Sequence, residues 1–510
     1  MHYATKNPFV LVIIFVTIVV LALVGGVGLS PTHSEPLKGQ STKNPNEQGE
    51  RQLQALLAKL RDRENLIAHL QRQLKSLAPS LVIQAGQLQP VPEGTPPSGW
   101  YTQAALNGNV RLIATYDSSG PNAWDPAAHP LVFITSEGRG YAGTYSKTYK
   151  LAGLQIIDAN TKEIVTSAAF DLGFKTMMTP HGLGISPDGK WIYLPTGDGD
   201  QPWTIGKNAG RVLIVNARTL KLDKVLGTDV GPHHIKAFRD WKGRARVLVE
   251  AGQSRFLLDP NDDHKVVMTF GTMDFNGLPY QSDPDPSGRY IYSGLVLGER
   301  NAADELIGAV AKLDLETGRV KIIPGAGMYP NGFAFTSDGK YTYVSDSAGS
   351  RVYKIDNATD RVVGSTQAGV PGPYNIALNW DETELWIVGK GEHTFNLGGS
   401  LGLVNTKVFR ALREFPIGGQ TIDHNTLHPD INANEMWVTS SGTLEVIVFD
   451  LTKRQVKARI PSANGGDTHS GGFVRYNPDF SGELLADQGG VHNSVLAQKK
   501  TLIGQTSSAR

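Results

Sequence analysis

The chain has 510 residues, enough for a large core, and a formal net charge of +1, so no global field favours nucleic acid or strongly acidic partners. Charged residues are only 19% and glycines number 57, a balance that suits a turn-rich all-β protein. The absence of cysteine excludes disulfides, thiolate metal ligands, CxxCH haem attachment and cysteine nucleophiles.

Residues 1–30 contain an uncharged apolar run, Phe9 to Leu29. About twenty residues of helix span about 30 Å, the thickness of a bilayer core. The run (residues 9–29) is therefore expected to anchor the chain in the inner membrane, with a cleaved signal peptide as the rival reading. VGGVGLS is a poor cleavage sequence. Lys6 and the amino terminus favour a cytoplasmic tip, which would put everything after Ser30 in the periplasm. Residues 31–49 read as a polar linker. Across residues 50–78, Leu53, Leu60, Ile67 and Leu74 hold one heptad position, and Leu56, Arg63, Leu70 and Leu77 the other. Four heptads predict a coiled-coil stalk and hence a homo-oligomer; a single amphipathic helix packed on the next domain is the alternative. Residues 79–109 include GQLQPVPEGTPPSG and read as a Pro-rich spacer.

From residue 110 to 495 one phrase recurs: an apolar run, an Asp or Asn, a polar turn, and a second apolar run. Its copies centre on Asp158, Asn216, Asp259, Asp314, Asp356, Asn405 and Asp450, at spacings of 42 to 58 residues. Each is a hairpin, because the alternation gives two strands and Asp/Asn with Thr or Gly folds the link. A second hairpin precedes most copies, as in PHGLGISPDGKWIYL from Pro180 and PNGFAFTSDGKYTYVSD from Pro330. Two hairpins per period make a four-stranded sheet. Seven such sheets bury both faces of each only when packed radially.

These phrases resemble the YVTN family of β-propellers, with SPDGKxxY followed by xVxxIDxxTxxVV, best at residues 180–229 and 330–368. The resemblance implies an all-β, seven-bladed β-propeller, related in shape to WD-repeat proteins and the quinoprotein amine dehydrogenase β-chain. The transmembrane helix and the coiled-coil helix would precede it. GGFVRYNPDFSGELLADQGG (Gly471–Gly490) reads as strand, bend and strand with no Asp-turn hairpin after it, so it is expected to complete the first blade. Residues 496–510 read as a flexible tail.

The thirteen histidines are the distinctive chemical resource. His181 precedes the innermost strand of its repeat, and His233 matches it with His234 beside it. Asn331 and Tyr374 hold the equivalent places, His424 falls within a residue of them, and His469 stands before the tail strand. Radial symmetry would gather these imidazoles at the channel mouth. An all-imidazole set suits copper or another His-bound transition metal. The bland alternative is that they satisfy backbone groups where strands enter the channel. Asp198 and Asp200 are weaker candidates for calcium, and Asp283 and Asp285 read as turn formers.

Two functions follow. One is a membrane-anchored periplasmic propeller that binds or scaffolds an unknown protein or small-molecule ligand at one face. The other is a metal-dependent, copper-like oxidoreductase or redox accessory built on His181, His233, His234, His424 and His469. Neither predicts a nucleic-acid partner.

Overall fold

A computed structural model describes residues 89–90, 110–114, 130–135, 152–170, 177–178, 181–198, 205–300, 306–394, 398–462, 468–477, 479 and 481–508. The apolar run 9–29, the heptads 50–78 and the side chains of Asp198 and Asp200 lie outside them. Among the described residues, no helix is long and apolar enough to cross a membrane.

The described strands form seven sheets, the blades of a propeller. Five are plain four-stranded meanders with inner strands Pro232–Arg239, Pro279–Pro284, Pro330–Phe335, Pro373–Leu378 and Ile422–Leu427, here blades 3 to 7. Blade 2 is built on Gly184–Ile185, Trp191–Asp198, Ile205–Asn216 and Leu222–Val230. Gln89–Pro90, inside the expected spacer, adds to its outer edge against Leu226 and Gly227.

The seven Asp/Asn positions do what the repeat pattern asks of them. Asp158 Oδ1 accepts the Asn160 and Thr161 N–H groups at 2.8 and 3.0 Å, and Asp450 Oδ1 accepts those of Thr452 and Lys453 at 2.9 and 2.8 Å. Asn216, Asp356 and Asn405 repeat the pattern, and Asp259 and Asp314 each make the first of the two bonds. Such Asx-turns replace the backbone bonds that a hairpin tip cannot make. In the preceding hairpins Gly189 and Gly339 sit at φ 69° and 71°, the left-handed region that glycine enters without a Cβ penalty.

Burial grades outward along each blade. Pro330–Phe335 and Ile422–Leu427 are buried at every residue, whereas the outermost strand Arg361–Gln367 alternates between exposed and half-buried. Apolar side chains of neighbouring blades interlock between them, as where Trp386, Phe415 and Phe449 meet with ring centroids 5.4 to 5.7 Å apart.

Blade 1 closes the ring. Leu131–Thr135, Ala152–Asp158 and Ile164–Phe170 come from its start, and Gly471–Tyr476 from its end, with Leu131 opposite Val474. Only the first tail strand serves this purpose. The second, Gly482–Asp487, pairs with the free edge of Gly471–Tyr476, on the side away from Leu131–Thr135, and enters the centre of the ring. Its Leu484, Leu485 and Ala486 are buried. The flexible tail expected at 496–510 is corrected as well. Residues Asn493–Ser508 form a helix, with Val495 and Leu502 packed into the same apolar cluster as Leu427 and Leu485. Its sixteen residues mix apolar and polar side chains with little one-sidedness, too weak a periodic signal to find from sequence.

Candidate metal centre

The five histidines singled out by repeat position converge. His181 lies just before the inner strand of blade 2, His233 and His234 near the start of that of blade 3, His424 on that of blade 7, and His469 two residues before that of blade 1. Blades 7, 1, 2 and 3 follow one another around the closed ring, so the rings come from one continuous arc. The inner segments of blades 2 and 3 touch directly: the Gly182 N–H donates to the His233 carbonyl at 3.0 Å, and the Ile235 N–H to the Gly182 carbonyl at 2.9 Å. A Cβ on residue 182 would lie 2.7 Å from His234 Cδ2, so glycine is what lets these segments close.

None of the five imidazoles is more than 4% exposed. Ring centroids are 4.3 Å apart for His181 and His233, 4.0 Å for His233 and His234, and 5.1 Å both for His234 and His424 and for His424 and His469. Potential ligand atoms from His234, His424 and His469 all lie within 4.8 Å of one another. The same holds for His233, His234 and Glu250.

Protonation favours ligation. Burial above all, helped by neighbouring imidazoles and by Lys236, Lys390 and Arg255, holds His233, His234, His424 and His469 well below the usual histidine range. They are neutral at physiological pH, the form that coordinates metal. His424 Nδ1 donates to the His469 carbonyl at 2.9 Å. That leaves His424 Nε2 as the lone-pair nitrogen, buried and without a hydrogen bond. Both ring nitrogens of His234 and of His469 are likewise buried with no hydrogen bond. An unpaired buried polar atom is costly, and several together favour a ligand they share.

A layer of charge surrounds the rings. Glu250 Oε2 is 3.4 Å from His234 Nδ1, and Asp423 Oδ2 is 3.6 Å from His469 Nδ1. Lys390 Nζ lies 2.8 Å from Asp423 Oδ1, and Lys236 Nζ 2.5 Å from Asp283 Oδ1 and 4.0 Å from Glu250 Oε1. Burial raises the carboxyls of Glu250 and Asp423, and pushes that of Asp283 up to about 7. Carboxylates behind imidazoles orient the rings and strengthen them as ligands. A thiolate-free set of neutral imidazoles backed by carboxylates fits copper, zinc or iron, with copper favoured by intrinsic affinity.

Sequence reasoning found the histidines but missed their surroundings. Asp285 is a turn former, accepting the Tyr290 N–H at 2.9 Å, but Asp283 is a fully buried ion-pair partner rather than a turn residue. Glu250 and Lys236 were overlooked, although a charge inside the apolar runs RVLVEAG and HHIKAF was the available signal. Tyr374 sits 5.3 Å from His424, ring to ring, and Asn331 is buried, as their repeat position implied. A cavity of about 260 Å³ lies at the other ends of the inner strands and includes Phe335, Glu382, His492 and Lys499 but none of the five histidines.

Fold and site together define a seven-bladed β-propeller with a buried histidine cluster. Residues 237–369 match the SMP-30/gluconolactonase/LRE-like region, which supports a β-propeller repeat family but covers a minority of the chain. No curated protein matches. Among solved structures the chain is similar to the dihydro-heme d1 dehydrogenase NirN in complex with DHE, at 12% identity and a TM-score of 0.47, over 74% of this chain and 83% of that one. It is also similar to hydrazine synthase of Kuenenia stuttgartiensis, at 15% identity and TM-score 0.43, over 62% and 96%. A functionally unknown protein from Desulfotomaculum acetoxidans matches at 13% identity and TM-score 0.45, over 66% and 97%. These are likenesses of fold alone.

Proposed function

We propose that this propeller is a transition-metal-binding protein of the redox-accessory kind, holding an ion, copper by preference, between His234, His424 and His469. The observation that carries the reading is the convergence of three buried imidazoles within 4.8 Å of one another, their spare nitrogens without hydrogen bonds. A bound ion would supply Lewis acidity or a single-electron couple. The protein's own residues fix the ring tautomers, balance charge through Glu250 and Asp423, and exclude bulk water. Burial this deep suits electron transfer or custody of an ion better than direct attack on a bulky substrate.

Elemental analysis of the full chain, purified under mild conditions, should find about one or more equivalents of metal. The paired substitution of His424 and His469 by Ala should lower this at least tenfold while the far-UV spectrum keeps its β signature. Substoichiometric metal that does not change with these substitutions would sink the proposal.

The rest of the architecture follows as part of the same proposal. Residues 9–29 anchor the chain, residues 50–78 associate it with copies of itself, and the ring stands in the periplasm. Protease added to spheroplasts should then digest the ring; full protection would reverse the orientation.

A further inference from the structure

His234 belongs to both ligand groups, one with His424 and His469 and the other with His233 and Glu250. We infer that the centre is dinuclear, with the His234 ring bridging one metal held by His424 and His469 and a second held by His233 and Glu250. The inference rests on the metal-binding reading above and extends it to a second site and a bridging role.

Three observations carry it. First, both nitrogens of His234 are buried without a hydrogen bond, although Glu250 Oε2 stands 3.4 Å from Nδ1, where a histidine bound to one metal would donate. Second, Glu250 is built as a ligand as much as a support. Its Oε1 accepts the Ser282 N–H at 2.8 Å and faces Lys236, while Oε2 points to His234 Nδ1 at 3.4 Å and has no hydrogen bond. Third, the His233 ring lies beside that of His234, centroids 4.0 Å apart and planes inclined at 59°, and offers a ligand atom within 4.8 Å of those of His234 and Glu250. Binding of the second ion displaces the remaining proton of His234 to solvent, leaving an imidazolate shared by two cations. No electron is exchanged in that step. Glu250 brings negative charge to the second ion, while Asp283 and Asp423 are already paired with Lys236 and Lys390.

The test is a titration of the metal-free full chain with Cu(II), read by bound metal per chain and by electron paramagnetic resonance. Two equivalents should bind. The signal should grow through the first and shrink through the second, because two Cu(II) ions joined by an imidazolate couple their spins. Glu250→Gln should lose the second equivalent while the first still binds, more weakly because His234 loses its carboxylate neighbour, with the signal then persisting. His234→Gln should weaken both. Binding of one equivalent only, with Glu250→Gln weakening that same equivalent, would make Glu250 an outer support and overturn the dinuclear inference while leaving the metal-binding reading intact. No bound copper, with zinc(II) and iron(II) equally unbound in parallel titrations, would overturn both. The resonance measurement on the unaltered chain decides the matter even where a variant fails to fold.

Discussion

Metal-free protein should lose stability steeply as pH falls below about 6.5, the ordinary histidine value. In the folded state His233, His234, His424 and His469 sit well below that value, with burial the leading cause, and His428 is lowered to about 4. Between about pH 4 and 6.5 the unfolded chain therefore binds protons that the folded ring refuses. Each such group tilts stability by about 1.4 kcal/mol per pH unit, in the sense that stability rises with pH. The raised carboxyls act the other way. Asp283, at about 7, keeps a proton in the folded state that the unfolded chain has lost, and Glu250 and Asp423 are shifted in the same direction. Five imidazoles against at most three carboxyls leave a net slope of about 3 to 6 kcal/mol per pH unit at its steepest. Set against typical domain stabilities of about 5–15 kcal/mol, that slope unfolds the apo ring within a few pH units. Denaturant midpoints measured from pH 5 to 7.5 in chelator would show it. The groups facing the rings, namely Lys236, Lys390, Arg255, Glu250 and Asp423, stay in place in the control His424→Gln, which removes one titrating ring and should flatten the slope by one group's worth. A midpoint that is constant, or that rises toward acid, would show that the rings are not held neutral.

The fold was legible because its signals are local and repeated. Asp158, Asn216, Asp356, Asn405 and Asp450 each accept the backbone N–H groups two and three residues on, so one residue type at one register marks a hairpin wherever it occurs. The blade-mixing closure was legible for the same reason, since Gly471–Tyr476 had strand character and no hairpin to follow it. The fate of Gly482–Asp487 was not. A strand that fills the ring centre has the same alternation as one that completes a blade, and its place is decided by the free edge of Gly471–Tyr476, a tertiary fact. The site divides in the same way. Repeat position gave His181, His233, His234, His424 and His469 because radial symmetry turns equal register into spatial nearness. Asp283 stands at the register of Lys236, and Asp423 at that of His233, but neither repeats the residue type found there, and Glu250 lies on a second strand away from the histidine positions. They face Lys236 and Lys390, and an acid in one blade set against a lysine of another is a change of residue type between repeats that register alone does not announce. Asp283 in SDPDPSG shows the limit well: two residues apart, Asp285 opens the turn while Asp283 still belongs to the strand and faces the interior.

Lys390 links the ring's stability to the state of its centre, and its removal should be among the most damaging single changes. Its Nζ lies 2.8 Å from Asp423, 3.6 Å from Glu392 and 3.9 Å above the Tyr374 ring, with Lys390 3% exposed and Asp423 fully buried. Lys390→Met keeps most of the volume and removes the charge. Asp423 is then left with the Ser441 hydroxyl, at 2.5 Å, as its strong partner. Stranding one member of a buried pair costs about 3–5 kcal/mol, and Asp423 offsets part of this by taking up a proton. Lys390→Met should accordingly lower the denaturation free energy by about that amount at pH 7.5 and by less near pH 5, where protonating Asp423 is easier. Asp423→Asn added to Lys390→Met should recover much of the loss, because the carboxylate that needed the cation is gone. Non-additivity of this sign is the mark of a charge stranded rather than of packing lost. A double variant no more stable than Lys390→Met alone would mean that the lysine acts through its contact with Tyr374. The same pair also tests the centre, since His469 Nδ1 lies 3.6 Å from the Asp423 carboxylate. Asp423→Asn should weaken metal binding about 10–100-fold, the usual effect of removing a carboxylate behind a histidine ligand, even where stability has been restored.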